Sequence, residues 1–296
     1  MKHTLLTIIF AIFSLAGSAQ SSRKVPYDSI SNKKSELRIG LRYTSDYYFM
    51  GRSDSAAAPY LTPSLAYYHK SGFFIRSSLS YLTNKDQGRI DMIAFTGGYD
   101  YYGEKFALGA SLTEYLFSDE SYVVQAEMST YINAYAGYDF DAFMLFADAS
   151  LGVSDGTDLF VGLDISRMFF LLRNKLTILP SFTMNLGSQK YYDQYYQYRS
   201  PQSGFGKGSG KGKNGQQPPQ PTYDVYLTES DKFQILDYEA GLQVTYRLHN
   251  VRFFVSGTWM FPVNPGTIIV NDIPQPETLQ NGFYWSTGVR VSLKGQ

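Results

Sequence analysis

The chain has 296 residues, with 26 lysines and arginines balanced by 26 aspartates and glutamates, and no cysteine. A balance near neutrality argues against a nucleic-acid partner, and the missing thiols exclude a disulfide framework, a lipid-bearing cysteine and cysteine–zinc chemistry. Tyrosine (26) and phenylalanine (21) are abundant, as expected where strands meet lipid and aromatic girdles mark both interfaces.

Residues 1–19 read as a removable export signal, with the charge at Lys2, an apolar run over Leu5–Leu15 and small residues at Gly17-Ser18-Ala19. The run is far shorter than the ~20 apolar residues a spanning helix needs, so any membrane crossing falls to strands. About 277 residues remain, enough for two soluble domains. Alternation recurs from end to end, however, which predicts a single barrel over residues 36–296 after a polar lead, Gln20–Ser35.

Strand one places Leu37, Ile39, Leu41 and Tyr43 on one face, with Arg38, Gly40, Arg42 and Thr44 on the other. A polar, alanine-containing loop near Gly51–Pro59 leads to Leu61, Pro63, Leu65 and Tyr67, and Lys70-Ser71-Gly72 turns the chain into Phe73, Ile75, Leu79 and Tyr81, with Arg76 opposite. Strand four, near Arg89–Tyr101, has the weakest phase; Ile93, Phe95 and Tyr99 are assigned outward. Strand five points Phe106, Leu108, Ala110 and Leu112 outward, and strand six Val124, Ala126, Met128, Thr130, Ile132 and Ala134. Strand seven carries Phe143, Leu145, Ala147, Ala149, Leu151 and Val153 outward with Asp148 behind; strand eight carries Leu159, Val161, Leu163 and Ile165 with Asp164 inward. Strand nine, Leu176–Leu186, contains Pro180, which cannot donate to a ladder and predicts a bulge or local widening.

Residues 189–232 break the pattern. They begin with Tyr191, Tyr192, Tyr195, Tyr196 and Tyr198 among polar residues and continue through a glycine- and lysine-rich tract, Gly204–Gly215, the composition of a long mobile loop. Strands ten and eleven, Tyr238–Phe261, then form a hairpin whose register follows from a two-residue turn at His249-Asn250. Leu248 faces Val251, Tyr246 faces Phe253 and Tyr238 faces Phe261 on an apolar face, while Arg247 faces Arg252 on the other. The two aromatic pairs stand roughly 20 Å apart along tilted strands, close to the apolar band of an outer membrane. A proline-rich loop, Pro262–Asn281, precedes strand twelve, with Phe283, Trp285, Thr287, Val289, Val291 and Leu293 outward.

The fold class is therefore all-β: an up-and-down transmembrane antiparallel barrel of about 12 strands, closed because lipid leaves no strand edge a partner. Connections after odd-numbered strands are mostly long and those after even-numbered strands tight, which puts the long loops outside the cell and both termini on the periplasmic side.

The stretch Thr44-Ser45-Asp46-Tyr47-Tyr48-Phe49-Met50-Gly51-Arg52-Ser53-Asp54-Ser55, continued by Pro59 and Tyr67–Phe74, resembles the opening of the TorF family of porins. A fainter echo lies at Gly97-Gly98-Tyr99, and basic residues usual in the family are replaced by Tyr48 and Met50, with Arg52 displaced from that pattern. The resemblance implies an exported barrel, admits a channel and implies no catalytic residue.

In this phase the inward charges are Arg38, Arg42, Arg76, Arg247, Arg252 and Arg290, against Glu127, Asp148 and Asp164, with Asp237 and Glu239 among the basic strands. Strand twelve neighbours strand one in a closed barrel, so the arginines form one wall and most acids the facing wall. Such a transverse field suits a porin-like passive channel for small polar or anionic solutes. The same charges could instead pair across the lumen and fill it, since twelve strands lie between packed eight-strand and water-filled sixteen-strand barrels. The alternative function is a non-conducting structural or surface-binding barrel, which contacts glycans or a partner protein through the tyrosine loop. Outer-membrane lipid and lipopolysaccharide are the expected surroundings.

No cofactor, metal site or catalytic residue is expected. His69 and His249 fall at predicted turns, Asp155-Gly156-Thr157-Asp158 is too short for a calcium loop, and the Gly/Lys tract lacks the strand, helix and Gly-Lys-Ser/Thr ending of a phosphate-binding loop.

Overall fold

The computed structural model describes residues 34–295 apart from Ser55, 85–87, 119–120, Glu127, 200–224 and Asn271. The expected export signal, nearly all of the polar lead and the Gly204–Gly215 tract lie outside the described residues.

The elements in chain order are β1 (Glu36–Thr44), β2 (Tyr60–Tyr68), β3 (Phe73–Leu82), β4 (Arg89–Tyr102), β5 (Phe106–Phe117), β6 (Thr130–Asp139), β7 (Met144–Val153) and β8 (Thr157–Ser166). There follow β9 (Phe169–Leu171), β10 (Leu176–Gly187), α1 (Lys190–Arg199), β11 (Val225–Thr228), β12 (Gln234–Leu248), β13 (Val251–Pro262), β14 (Thr267–Val270), β15 (Ile273–Pro276) and β16 (Gly282–Lys294). Twelve of the strands close into an antiparallel barrel: β1 pairs with both β2 and β16, and β12 with both β10 and β13. Every strand of the wall therefore has two neighbours, which satisfies the backbone without water.

The hairpin of β12 and β13 has the expected register throughout, from Leu248 opposite Val251 to Tyr238 opposite Phe261. His249 at its tip takes a left-handed φ of 53°. The outer wall is apolar, with Ile39, Leu41, Ile75, Phe95, Leu108, Leu145, Leu163, Phe253 and Val255 all exposed. Aromatic pairs bound this belt at the long-loop end, Trp259–Phe283 at 4.8 Å and Tyr43–Trp285 at 5.4 Å. At the short-turn end stand Phe73–Tyr99 at 5.0 Å and Tyr138–Phe140 at 4.7 Å. A belt of this kind is stable only against lipid, and two girdles mark its interfaces.

Local departures from the ladder have identifiable causes. The register shifts between Ser80 and Tyr81, where Asp91 is the extra residue of β4, and again between Asn185 and Leu186, where Leu236 is the extra residue of β12. Pairing of β8 with β10 stops at Ser166–Ser181 and resumes through β9 at Phe169–Ile178. Leu179 and Pro180 lie in the gap, as a residue without an N–H requires. The connection from β8 to β10 is correspondingly longer than the tight turn expected.

Two segments differ from expectation. β6 begins at Thr130, so Val124, Ala126 and Met128 are not lipid-facing; Val123, Val124 and Met128 are fully buried at the long-loop end. The loops over 189–232 and Pro262–Asn281 carry structure of their own, with α1 in the first and a small antiparallel sheet, β11-β14-β15, shared between them. Together these segments build an apolar core inside the barrel mouth, where the Phe49 ring packs edge-on against Phe160 at 5.3 Å and Tyr191 at 5.2 Å.

Candidate functional site: the arginine wall and the packed mouth

The wall of the lumen can be built from register alone. Arg247 stands opposite Arg252, Arg252 opposite Arg290, and Arg290 opposite Gly40, which Arg38 and Arg42 flank along β1. Arg38 faces Ala66, and Ala66 faces Arg76 on β3. All six predicted arginines thus share the arc from β12 to β3 and line one cavity of about 560 Å³. Tyr102, Tyr115, Asn133, Tyr135 and Asp164 line the opposite side.

The acids divide differently from expectation. Asp164 lines the cavity and accepts a 2.9 Å hydrogen bond from the Thr183 hydroxyl. Asp148 does not reach the cavity: it is 5 % exposed, and its Oδ2 accepts from Asn133 Nδ2 at 3.1 Å and Ser150 Oγ at 3.2 Å. Glu239 is likewise buried, beside Asn185 at 3.5 Å. Both carboxylates lie low against the wall, held by polar side chains of neighbouring strands: Asn133 and Ser150 for Asp148, Asn185 for Glu239. Glu127 lies outside the described residues.

Asp100 was not among the expected lumen acids, although the phase assigned to strand four turns it inward; it lines the cavity and accepts from Tyr135 Oη at 2.9 Å and Tyr102 Oη at 3.1 Å. Glu36 was also missed. It binds Arg38 through two parallel 2.9 Å hydrogen bonds, and the Arg38 guanidinium also lies 4.1 Å from the Tyr68 ring centroid. Arg42 stacks over Phe254 at 5.4 Å. Among the described residues no carboxylate lies within ion-pair distance of Arg42 or Arg290.

At the long-loop end the first and last loops meet. The turn Phe49–Arg52 closes through paired backbone hydrogen bonds, with Gly51 at φ 77°, and delivers Arg52 to Glu277 at 3.1 Å. Burial pulls the Arg52 guanidinium toward the neutral form, but Tyr191 and Glu277 outweigh it and hold its pKa above the ordinary arginine value. Asp158 at the start of β8 receives the N-terminus of α1, with Oδ1 accepting from Lys190 N at 2.9 Å and Oδ2 from Tyr191 N at 2.7 Å. Tyr191 and Tyr192 are consequently buried, the first wholly and the second to 6 % exposure. They are packing residues of the mouth, which corrects their expected role as exposed ligand-binding tyrosines. The side chains of Tyr195, Tyr196 and Tyr198 lie outside the described residues.

His69 and His249 stand at short-turn connections, where His69 Nδ1 lies 2.7 Å from Ser71 Oγ; neither lines the cavity.

No family model matches the chain, and no curated protein matches it. The resemblance to the TorF porins thus rests on Thr44–Phe74, with the fainter echo at Gly97–Tyr99. Among solved structures the chain is similar to a KdgM porin, at 10 % identity over 86 % of this chain and 99 % of that one with a TM-score of 0.46. It is similar also to the NanC porin, at 9 % identity over 87 % and 100 % with a TM-score of 0.43. LpxR from Salmonella typhimurium shows 12 % identity over 86 % and 99 % with a TM-score of 0.41. At these values the architecture stands on its own hydrogen-bonded ladders, which close twelve antiparallel strands into a barrel, and on the apolar outer wall that makes this barrel transmembrane.

Proposed function

We propose that the protein is a porin-like barrel of the outer membrane, with its long loops extracellular, its short turns periplasmic, and a lumen for small polar or anionic solutes. The observation that carries this reading is the arginine wall: six guanidinium groups on one arc of the cavity, bordered by Asp100 on the adjoining strand and facing Asp164 and tyrosines of the other strands. A wall of one sign with low-dielectric surroundings concentrates the opposite ion and orients a dipolar solute on its way through. Orientation follows from loop length, since the mouth loops are long and the opposite turns mostly short.

A second reading, a non-conducting barrel that presents its loops to lipopolysaccharide, glycans or a partner protein, is favoured by the buried core of Phe49, Phe160 and Tyr191 inside the mouth. Planar-bilayer recording of the folded protein separates the two. Ohmic steps are expected from the porin, and their absence in protein that migrates as a folded barrel supports the second reading. Where steps occur, Arg42→Glu with Arg247→Glu shifts selectivity from anions toward cations; unchanged selectivity refutes the lumen assignment.

A further inference from the structure

We propose that Gly40 is the floor of a specific oxyanion-binding site, in which Arg42 and Arg290 grip one carboxylate or phosphate group of a small hydroxylated solute. The site rests on the lumen assignment above but not on conduction.

Gly40 faces the cavity at the centre of the arginine wall. Its neighbours are Arg38 and Arg42 two residues away on the same strand, Arg290 across one ladder and Ser64 across the other. Directly opposed residues have Cβ atoms about 5 Å apart, and same-face residues on one strand about 7 Å. The guanidinium groups of Arg42 and Arg290 can therefore converge over the glycine. A side chain there would close the recess, since a Cβ on Gly40 would come within 2.8 Å of Ser64 Oγ.

The charge accounting singles out the same two arginines. Arg38 is already held by both oxygens of Glu36 and by the Tyr68 ring. Arg42 also lies over a ring, that of Phe254 at 5.4 Å, but neither Arg42 nor Arg290 has a carboxylate within ion-pair distance among the described residues. Gathered cations repel one another in a low-dielectric wall, and an anion between them relieves that repulsion. Guanidinium forks match carboxylate and phosphate oxygens in pairs. Beyond the glycine the same ladder continues through Ser64 to Ser78, and Thr62 stands opposite Arg42. Those hydroxyls give the body of the solute hydrogen-bonding partners, which favours a hydroxylated acid or phosphate ester over a bare halide.

Calorimetric titration of the detergent-solubilised barrel with gluconate, glucose 6-phosphate, glucose and chloride tests the site. Saturable binding is expected for one or both oxyanions, none for glucose, and only weak binding for chloride. Gluconate alone identifies a carboxylate site and glucose 6-phosphate alone a phosphate site. Arg42→Met and Arg290→Met should each weaken the preferred oxyanion at least tenfold, and Gly40→Val should do the same while retaining the heat-modifiable migration of a folded barrel. Arg173→Met, on an exposed turn outside the cavity, should leave affinity unchanged. Undetectable binding of both oxyanions, or wild-type affinity in the two arginine variants, overturns the proposal even if Gly40→Val fails to fold. Bilayer steps without binding would remove this site and keep the channel; binding without steps would do the reverse.

Discussion

Arg52 and Glu277 stand 225 residues apart in the chain, yet their side chains meet at 3.1 Å, 1 % and 4 % exposed, and tie the first loop of the barrel to the last. Arg52 Nη1 also donates to the Leu236 carbonyl at 2.9 Å, which brings the start of β12 into the same knot. Removing one partner of a buried ion pair leaves the other charge uncompensated at a cost of about 3–5 kcal/mol, whereas replacing both by apolar groups costs far less. Arg52→Met and Glu277→Gln are each expected to loosen the mouth by that order, and Arg52→Met/Glu277→Met by much less. Limited proteolysis of the loops in the three variants measures this; additive losses would count against the knot.

Asp158 controls α1 from a strand 32 residues earlier in the chain, through the Lys190 and Tyr191 amides and a 2.6 Å hydrogen bond from Ser188 Oγ. Asp158→Ala leaves these donors without their acceptor, and loss of a helix cap costs about 0.5–2 kcal/mol. Hydrogen exchange over residues 189–194 should accelerate, with the wall strands unaffected. Asp158→Asn, which keeps one acceptor oxygen, should lie between the two.

Gly51 combines a φ of 77° with close packing: a Cβ would stand 2.8 Å from Asp237 Cβ and 3.1 Å from Pro262 Cβ. Gly51→Ala is therefore strained by both backbone and contact, and the backbone part alone costs about 1–2 kcal/mol. The first loop is expected to leave the mouth, read as faster cleavage within residues 45–59. In bilayers, larger or more frequent conductance steps would accompany its release.

Asp46 gives the first loop a pH dependence. Burial raises its carboxyl above the ordinary value of 3.8, against the lowering effect of the Ala58 and Tyr47 amides. The folded loop thus holds a proton more tightly than the unfolded one. This contribution to stability is full below the ordinary carboxylate value and is lost as pH rises through the folded one. A denaturant titration of a probe at the exposed Ala57, repeated from about pH 3 to about pH 7, should show the trend, and Asp46→Asn should flatten it.

The twelve wall strands were legible because a period of two residues is a local property and the membrane allows only closed sheets. The β12–β13 register followed from a two-residue turn, and that turn placed Arg247 beside Arg252. Closure then brought β16 against β1, so the arginine wall was readable as a consequence of strand order. Pro180 announced its own gap in the ladder because a missing N–H is visible in one letter.

The mouth was decided only in three dimensions. Val124, Met128 and Tyr191 have the same apolar character whether they meet lipid or a packed loop, and alternation cannot distinguish the two environments. Neighbouring side chains had the same effect on the acids: Asp148 and Asp100 both point inward, but the groups around them bury one and leave the other at the cavity. The Arg52–Glu277 pair has no local signature at all, because 225 residues of barrel must close before the two side chains can meet. Periodicity and closure specify the barrel and its charged wall, whereas contacts between segments far apart in the chain select which charges face the lumen and how the loops fill its mouth.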